Sequence, residues 1–316
     1  MAKKRLTKKQ RRKLNNFISS LLAFFLIACL ALVLYMTGAL DSFIGEAEDA
    51  STPVTGEMQV HFLDVGQGDC VLVLTETHTM LIDTGDKDDT YNQKIVDHLK
   101  KYNVSTINYL ILTHPDADHI GGAPDVINNF TVEKCIMPDF VKTTQIFNQT
   151  VEALDENNVE VINANEVVTS KDGNVFYLGE ARCELLAPLK DSYDDVNDAS
   201  VVMRLSFGET DVLFTGDAEA ESEADMVSAY SAAKLSAEVL KSGHHGSRTS
   251  SSYAFLNLVS PQYAVISCGE DNKYGHPHSE TIEKYSSRNM TVYRTDVDGT
   301  VIMKTDGKNI VFTVEK

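Results

Sequence analysis

Acidic and histidine side chains in this chain follow directly after short apolar runs. The run "NYLILT" leads into His114 to His119, "DVLFTG" leads into Asp217, and "AEVLKSG" leads into His244 and His245. Short apolar runs bounded by glycine and polar residues are typical of buried strands. Loops at the ends of such strands are rigidly supported and often carry functional groups. The pattern therefore predicts a layered fold with one polar site at the strand ends.

Strand-like and helix-like segments alternate from Met58 onwards. One series runs from "MQVHFLDV" to "VEVIN", a second from "ASVVMRLSF" to "YAVISCG", and three short strands close the chain. Segments with apolar residues at helical spacing, such as "TYNQKIVDHLKKYN" and "SETIEKYSSR", lie between the strands. Two series of strands with interleaved helices predict two β-sheets packed face to face with helices outside. The predicted domain covers residues 58–316.

The N-terminal segment differs sharply in charge from the rest. Residues 1–13 hold eight of the 28 Lys and Arg and no acid, which leaves 20 basic against 46 acidic residues beyond them, a balance of −26. Residues 14–40 carry no charge and are mostly apolar. About 20 such residues cross a bilayer as a helix, whereas the apolar part of a signal peptide has only about 7–15. We therefore favour an uncleaved transmembrane anchor over a cleavable signal, with lipidation at Cys29 as a third alternative.

The same segments predict a location. The positive-inside rule places the basic tail, residues 1–13, in the cytoplasm, so a single-pass membrane protein with an extracytoplasmic domain is expected. Residues 41–57 are acidic and small, which indicates a linker. The cysteines beyond the anchor show no CxxC spacing and are interpreted as mostly buried thiols, with one disulfide left open. These cysteines are Cys70, Cys135, Cys183 and Cys268.

The side chains at the strand ends are those of a metal site. Zinc and manganese take imidazole nitrogen and carboxylate oxygen as ligands. His114 and Asp116 would serve one ion, which we call the first position, and Asp118 and His119 a second ion, with Asp217 bridging them. A pair of ions activates a shared water as a nucleophile at neutral pH. The alternative for "HPDADH" is a solvated turn, which the motifs downstream disfavour.

The motifs resemble those of a known family. "THPDADHIGG" resembles the HxHxDH motif of the metallo-β-lactamase superfamily, with Asp116 in place of the second histidine, and "LIDTG" at Asp83, "LFTGD" at Asp217 and "GHHGS" resemble its other motifs. "FLDVGQGD", "THPDADHIGG", "LKSGHHGS" and "NKYGHPHSE" together resemble the lactamase-like domain of ComEC-type competence (DNA-uptake) proteins. The resemblance covers about Met58 to Lys316. It implies an α+β four-layer αββα sandwich, here preceded by one transmembrane helix instead of a polytopic channel region.

The resemblance also implies two divalent metal ions, zinc or manganese. The separate middle histidine of the superfamily has no match, and Asn197 and Asp198 occupy that part of the chain. Weaker ligation there predicts that one ion is weakly bound, or that manganese is preferred because it accepts oxygen ligands. Of His244 and His245, one is implied as a ligand, and the sequence does not say which. The other would orient a ligand or contact substrate.

Further site residues are predicted in the surrounding loops. The predicted catalytic residues are Asp118, Lys273, His276 and His278, and the predicted substrate-binding residues are Asp69, Ser247 and Tyr274. Gln67 is expected to line the cleft beside Asp69. Asp64 and Asp83 are expected to support loops. The remaining histidines are scattered singly and are interpreted as structural or surface residues. They are His61, His78 and His98.

Phosphodiester hydrolysis is the activity that the resemblance implies, with DNA, single-stranded DNA included, as the leading substrate and metal-activated hydroxide as the nucleophile. The acidic balance argues against extensive DNA binding, which needs basic surface. A local patch of Lys241, Arg248 and Lys273 would still hold one phosphodiester. Two alternatives stay open. One is a metallo-hydrolase of another class, acting on a lactone or a cell-wall phosphorylcholine ester, and the other is a non-catalytic binding protein.

Overall fold

A computed structural model describes residues 55–170 and 173–316. The predicted basic tail (residues 1–13), the predicted anchor (residues 14–40) and most of the predicted linker lie outside these residues. None of the helices in the described part of the chain is long and apolar enough to span a bilayer.

The first sheet has eight strands in the order β15-β14-β1-β2-β3-β4-β5-β6. Pairing is antiparallel from β15 to β3 and parallel from β3 to β6. The strands are β1 (Met58–Phe62), β2 (Val71–Leu74), β3 (Thr79–Ile82), β4 (Thr106–Ile111), β5 (Thr131–Met137), β6 (Glu160–Asn163), β14 (Val301–Thr305) and β15 (Ile310–Val314).

The second sheet has seven strands in the order β13-β12-β11-β10-β9-β8-β7. Pairing is parallel from β13 to β10 and antiparallel from β10 to β7. The strands are β7 (Val175–Leu178), β8 (Ala181–Ala187), β9 (Val202–Phe207), β10 (Thr210–Phe214), β11 (Val239–Lys241), β12 (Tyr263–Ile266) and β13 (Thr291–Arg294).

Helices connect the strands. They are α1 (Asp89–Lys101), α2 (Ala117–Ile120), α3 (Ala123–Asn129), α4 (Gln145–Glu156), α5 (Ala164–Thr169), α6 (Ala220–Ala229), α7 (Ala232–Leu235), α8 (Tyr253–Val259), α9 (Ser279–Ser286) and α10 (Thr295–Asp298), with short 3₁₀ turns at Asn197–Ala199 and Gly243–Gly246.

Alternation along the strands builds the layers. In β10, Val212 and Phe214 face a core shared by the two sheets, whereas Leu213 faces a second core with residues of α6, α8 and α9. In the first sheet, Val71 and Val73 face the shared core, so the buried Leu72 between them points to the opposite face. The predicted sandwich of two sheets with helices is confirmed.

Helix ends follow from local capping. α1 begins after Asp88, whose carboxylate accepts hydrogen bonds from the backbone N–H groups of Thr90 and Tyr91, and it ends with two lysines in its last turn. Both features stabilise a helix through its unpaired end groups and its dipole. Ile95 and Leu99, four residues apart, are fully buried, so one face of the helix packs into the domain.

Two parts of the fold lie beyond what the periodicity predicted. No element was assigned to residues 164–198, where the structure forms α5 and the β7–β8 hairpin. Tyr177 of β7 is exposed, and β7 is the outermost strand of its sheet, so the buried-strand pattern is weak there. The last two strands, β14 and β15, join the first sheet, where β14 pairs with β1. Local periodicity does not indicate this pairing, because the two segments are far apart in the chain.

The described cysteines are buried and free, which confirms their interpretation as buried thiols. Burial raises the pKa of the Cys135 thiol to about 12, so this group is inert at neutral pH.

His61 and His98 form a pair of imidazoles inside the domain. His61 lies on β1 and is fully buried, and its Nδ1 is 2.9 Å from His98 Nε2 on α1. One ring must donate and the other accept, so the accepting ring must be neutral and protonation of both rings breaks the bond. Burial, followed by nearby Lys101, lowers the pKa of His98 to about 4.

This pair predicts acid sensitivity. Because the folded-state pKa of His98 lies below the usual 6.5, its contribution to stability is complete above pH 6.5 and is lost as the pH falls towards 4. We expect His98 to account for a loss of about 2 kcal/mol in unfolding free energy between about pH 7.5 and about pH 5. In His98→Gln, which keeps a hydrogen-bonding group but does not titrate, urea unfolding should show a loss smaller by that amount.

The matched control is His78→Gln, because the His78 ring forms an exposed hydrogen bond with the neighbouring Thr77. An unchanged pH dependence in His98→Gln would contradict the assignment.

Candidate metal centre

Asp83 holds the loop that carries "HPDADH". It follows β3 in a left-handed backbone conformation, with φ of 57°. Its carboxylate accepts hydrogen bonds from Thr113 N at 2.8 Å, Thr113 Oγ1 at 2.7 Å and His119 Nδ1 at 2.8 Å. Thr84 N also donates to the backbone oxygen of His119 at 2.7 Å. Burial raises the pKa of Asp83, and the interaction with His119 opposes this. Asp83 therefore supports the loop after β4, as the sequence indicated.

His119, Asp217 and His245 form the centre of the cluster. His119 Nε2 lies 3.3 Å from Asp217 Oδ1, and His245 Nε2 lies 3.3 Å from Asp217 Oδ2 and 3.4 Å from Asp118 Oδ2. His119 follows β4 whereas Asp217 follows β10, so strand ends of both sheets meet here. Donor atoms of His119, Asp217, His245 and Asp69 all lie within 4.8 Å of one another. The donor group thus contains His245 and not His244.

Hydrogen bonds select the tautomer of each imidazole. His119 Nδ1 donates to Asp83 at 2.8 Å, and His245 Nδ1 donates to the backbone oxygen of Ser267 at 3.0 Å. The hydroxyl proton of Thr113 is committed to Asp83, so its oxygen accepts from His114 Nδ1, 3.2 Å away. In each ring the proton therefore lies on Nδ1, and the lone pair of Nε2 points away from the hydrogen-bond partner of Nδ1.

These lone pairs fit a metal ion. Among the described residues, His114 Nε2, His119 Nε2, His245 Nε2 and Asp217 Oδ1 are buried without any hydrogen-bond partner. Unpaired buried polar atoms are costly, and imidazole with carboxylate is the donor set of zinc and manganese sites. The residues present therefore fit a divalent ion, although they do not select one.

Charge inside the cluster is strongly coupled. Burial opposes ionisation of Asp217, but His245 and His119 hold the pKa of Asp217 well below its usual value. In turn, despite burial, Asp217 holds the pKa values of His119 and His245 well above theirs. Burial, together with His119, lowers the pKa of His114 to about 3. A metal ion would take the place of the protons that the carboxylates otherwise attract.

Asp69 connects three loops of the site. Its Oδ1 lies 3.2 Å from His245 Nδ1, and its Oδ2 pairs with Lys241 Nζ at 2.7 Å, with both side chains buried. Its backbone N–H donates to the oxygen of Asp118 at 3.2 Å, and its backbone oxygen accepts from Gly85 N. Predicted as a substrate-binding residue, Asp69 lies within the donor cluster instead of at the cleft surface. Lys241, predicted to face a phosphodiester, is likewise buried against it.

His244 lies at the side of the cluster. It has φ of 46°, and its Nδ1 donates to Glu219 Oε1 at 2.6 Å while its Nε2 lies 3.7 Å from Asp217 Oδ2. Asn197 Nδ2 donates to the same Glu219 oxygen, and the Asp198 carboxylate accepts the backbone N–H of Glu219. Asn197 and Asp198 occupy the part of the chain where the superfamily's middle histidine has no match. They hold Glu219, whose carboxylate orients His244.

Asp116 is not brought into the donor group. Its Oδ1 forms an ion pair with Lys142 Nζ, from the loop between β5 and α4. Asp118, two residues later, points to His245. Burial raises the pKa of Asp118, but the neighbouring imidazole of His245 outweighs burial and holds that pKa below its usual value.

The "NKYGHPH" loop lies against the histidines of the cluster. The His276 ring lies 5.2 Å from that of His244 and 6.0 Å from that of His245, and its Nδ1 is buried without a hydrogen-bond partner among the described residues. Burial, with His244, lowers the pKa of His276 to about 4. His278 Nδ1 instead accepts the backbone N–H of Arg248 at 3.1 Å.

A cleft of about 400 Å³ opens beside Asp118. Tyr274 and Lys273 line it, with Lys273 Nζ 4.9 Å from the centre of the Tyr274 ring. Gln67, across the cleft, has a buried Nε2 without a partner in the described part of the chain. Ser247, a predicted substrate contact, is buried and bonds to Thr249 Oγ1 at 2.8 Å.

Sequence reasoning missed several supporting residues. Ser200 accepts the backbone N–H of Asp217 and lies 3.4 Å from His114 Nδ1. The carboxylate of Glu219 and the ammonium of Lys142 were also missed. Lone serines, glutamates and lysines carry no spacing signal, so only proximity in the fold identifies them.

Comparison with known proteins supports the fold and the motifs. The family model "Metallo-beta-lactamase superfamily" matches residues 63–270. Competence protein ComA of Neisseria gonorrhoeae is 34% identical over 245 residues, which cover 77% of this chain and 32% of that protein. ComE operon protein 3 of Bacillus subtilis is 28% identical over 264 residues, which cover 78% of this chain and 33% of that protein. The chain thus spans about a third of the length of these curated relatives.

Among solved structures, the metallo-beta-lactamase fold protein YhfI from Bacillus subtilis matches with a TM-score of 0.52 at 11% identity. The match covers 79% of this chain and 100% of that one. At this identity the likeness concerns the fold alone. The sequence match to the family model and to the competence proteins confirms the resemblance drawn from the motifs. The chain therefore belongs to the metallo-β-lactamase superfamily of metal-dependent hydrolases.

Proposed function

We propose that this protein is a metal-dependent phosphodiesterase, with a DNA strand as its leading substrate. One observation carries the proposal: the buried donors of His119, Asp217, His245 and Asp69 converge within 4.8 Å of one another, beside a cleft that presents Lys273 and Tyr274. The donors fit a divalent ion, and the cleft offers a cation and an aromatic ring, the groups that bind a phosphate and a nucleobase.

The geometry supports His119, Asp217, His245 and Asp118 as ligands of one ion, and the sequence pattern assigns His114 and Asp116 to the first position. When bound, a divalent ion in such a site lowers the pKa of water and polarises a phosphoryl oxygen. The chain itself supplies the geometry. Asp83 and Thr113 set the orientation of His119 and His114, and Ser267 sets that of His245.

Substrate would enter between Tyr274 and Gln67. Gln67 lines the cleft, and its Nε2 has no partner among the described residues; the His276 ring, whose Nδ1 also has none there, lies 5.2 Å from that of His244. Both suit the non-bridging or leaving oxygens of a phosphodiester. Among the described residues, Lys273 is the lysine that lines this cleft. One nearby cation, with a charge balance of −26 over residues 14–316, supports local capture of a strand rather than tight binding along its length.

The relatives named as competence proteins support a nucleic-acid substrate and a role in DNA uptake. The sequence supports a single-pass membrane location, because a basic tail precedes an uncharged apolar stretch. We therefore propose that the domain is anchored outside the cytoplasm and acts on DNA near the membrane surface.

We expect the full-length protein to cleave linear DNA and bis-p-nitrophenyl phosphate, to lose both activities with a chelator, and to regain them with zinc or manganese. Asp217→Asn should lower kcat/KM for both substrates at least about 100-fold, because it removes the carboxylate that His119 and His245 share. Steady-state rates and metal analysis check this expectation.

Asp155→Asn is the matched control, because Asp155 is exposed on α4 away from the cluster. Full activity in chelated protein or in Asp217→Asn would refute a metal-dependent phosphodiesterase. Turnover of lactones or phosphorylcholine esters without cleavage of DNA or of the phosphate diester would indicate the other ester classes. Folded protein that binds metal but turns over none of these substrates would indicate a binding protein.

A second expectation concerns Lys273. Lys273→Met should raise KM for DNA about 3- to 10-fold, since an exposed cation contributes modestly to binding a phosphate, and should leave kcat within about twofold. Initial rates at low and high salt would measure this. Lys308→Met, at the exposed turn before β15, should leave KM unchanged, and an equal effect of both substitutions would show that Lys273 acts only through net charge.

A further inference from the structure

At the first metal position, a lysine lies beside the carboxylate that the sequence motif assigns as a ligand. Lys142 lies in the loop between β5 and α4, and its Nζ pairs with Asp116 Oδ1. The two side chains are partly shielded, with exposed fractions of 27% for Lys142 and 32% for Asp116. The Lys142 ammonium therefore binds the Asp116 carboxylate. The position of Asp116 in "HPDADH" is that of a ligand of the first ion.

The carboxylates of the site divide into two groups. Asp69 is paired with Lys241 at 2.7 Å, Asp116 with Lys142, and Glu219 with His244 at 2.6 Å. Asp118 and Asp217 have only the imidazoles of the cluster beside them among the ion pairs of the described residues. Asp118 and Asp217 thus have no lysine partner among the described ion pairs, their two negative charges balance one divalent ion, and both lie beside His245.

The first position is also short of donors. His114 Nε2 is buried without a hydrogen-bond partner among the described residues, and the donor atoms that converge within 4.8 Å belong to Asp69, His119, Asp217 and His245, not to His114 or Asp116. If Asp116 stays with Lys142, His114 is left with the shared Asp217 as its main co-ligand.

We propose that Lys142 competes with a metal ion for Asp116, so that the protein holds one ion tightly at the second position and a second ion only weakly, when Lys142 is displaced. The inference rests on the proposed metal centre. The Lys142 ammonium neutralises part of the charge of the Asp116 carboxylate and repels a divalent ion placed beside it. A partly exposed ion pair is modest in strength, so the competition weakens binding of the second ion and does not exclude it.

Displacement has a consequence for substrate. Once an ion takes Asp116, the Lys142 ammonium is released at the rim of the cluster, where a phosphate oxygen is a suitable new partner. Lys142 would thus be a positioning residue that couples entry of the second ion to the arrival of an anionic substrate.

Metal titration of the full-length protein tests this. After removal of bound metal, calorimetric titration with zinc should show one tight site in the wild type and a second site weaker by at least about tenfold. In Lys142→Met the second site should tighten about tenfold or more while the tight site stays unchanged. Lys134→Met, which removes a lysine of β5 paired with Glu160 at 3.5 Å, is the matched control and should bind zinc as the wild type does.

The double variant Asp116→Asn/Lys142→Met should lose the gain at the second site and keep the tight site. Two equally tight ions in the wild type, or an unchanged second site in Lys142→Met, would overturn the role of Lys142 while leaving the metal centre intact. Wild-type protein that binds no zinc or manganese would overturn the proposed function itself. Circular dichroism of each variant checks that the fold is retained.

Discussion

The hydrogen bonds of the buried Asp83 carboxylate hold the site together. Asp83 follows β3, and it binds Thr113 and His119 from the loop after β4. Through these bonds it fixes the proton of His119 on Nδ1, and through the Thr113 hydroxyl it fixes that of His114 as well. One carboxylate therefore sets the orientation and tautomer of two imidazoles. Its left-handed backbone, costly for a residue other than glycine, places it between the two strands.

The sandwich explains why the donors converge. Parallel strands β3 and β4 in one sheet and β10, β11 and β12 in the other carry the donor loops at their carboxyl ends, where layered α/β folds place their sites. The shared core behind them is apolar, with Phe62 and Phe214 in contact across the sheets. Rigid packing of this core keeps the strand ends at fixed distances from one another, so the imidazoles remain directed at one point.

Charge differs between the two sides of this centre. Lys241 pairs with Asp69 and Lys142 pairs with Asp116, whereas Asp118 and Asp217 have only imidazoles beside them among the described ion pairs. We propose that Lys142 thereby weakens binding of a second ion, and that Lys273, which lines the cleft, binds substrate.

Much of this could be predicted from the sequence. Apolar periodicity indicated the two sheets, and the spacing within "HPDADH" with the later motifs indicated a metal centre at strand ends, because these patterns are local. The β7–β8 hairpin and the return of β14 and β15 to the first sheet were not predictable, since pairing partners distant in sequence are chosen by packing. By itself the sequence determined the family, the fold class and the types of donor. Only the tertiary structure decided that His245 rather than His244 enters the donor group, that Asp69 lies inside it, and that Lys142 lies on Asp116. The physical reason is that each of these depends on a contact between loops of separate strands, which no local pattern encodes.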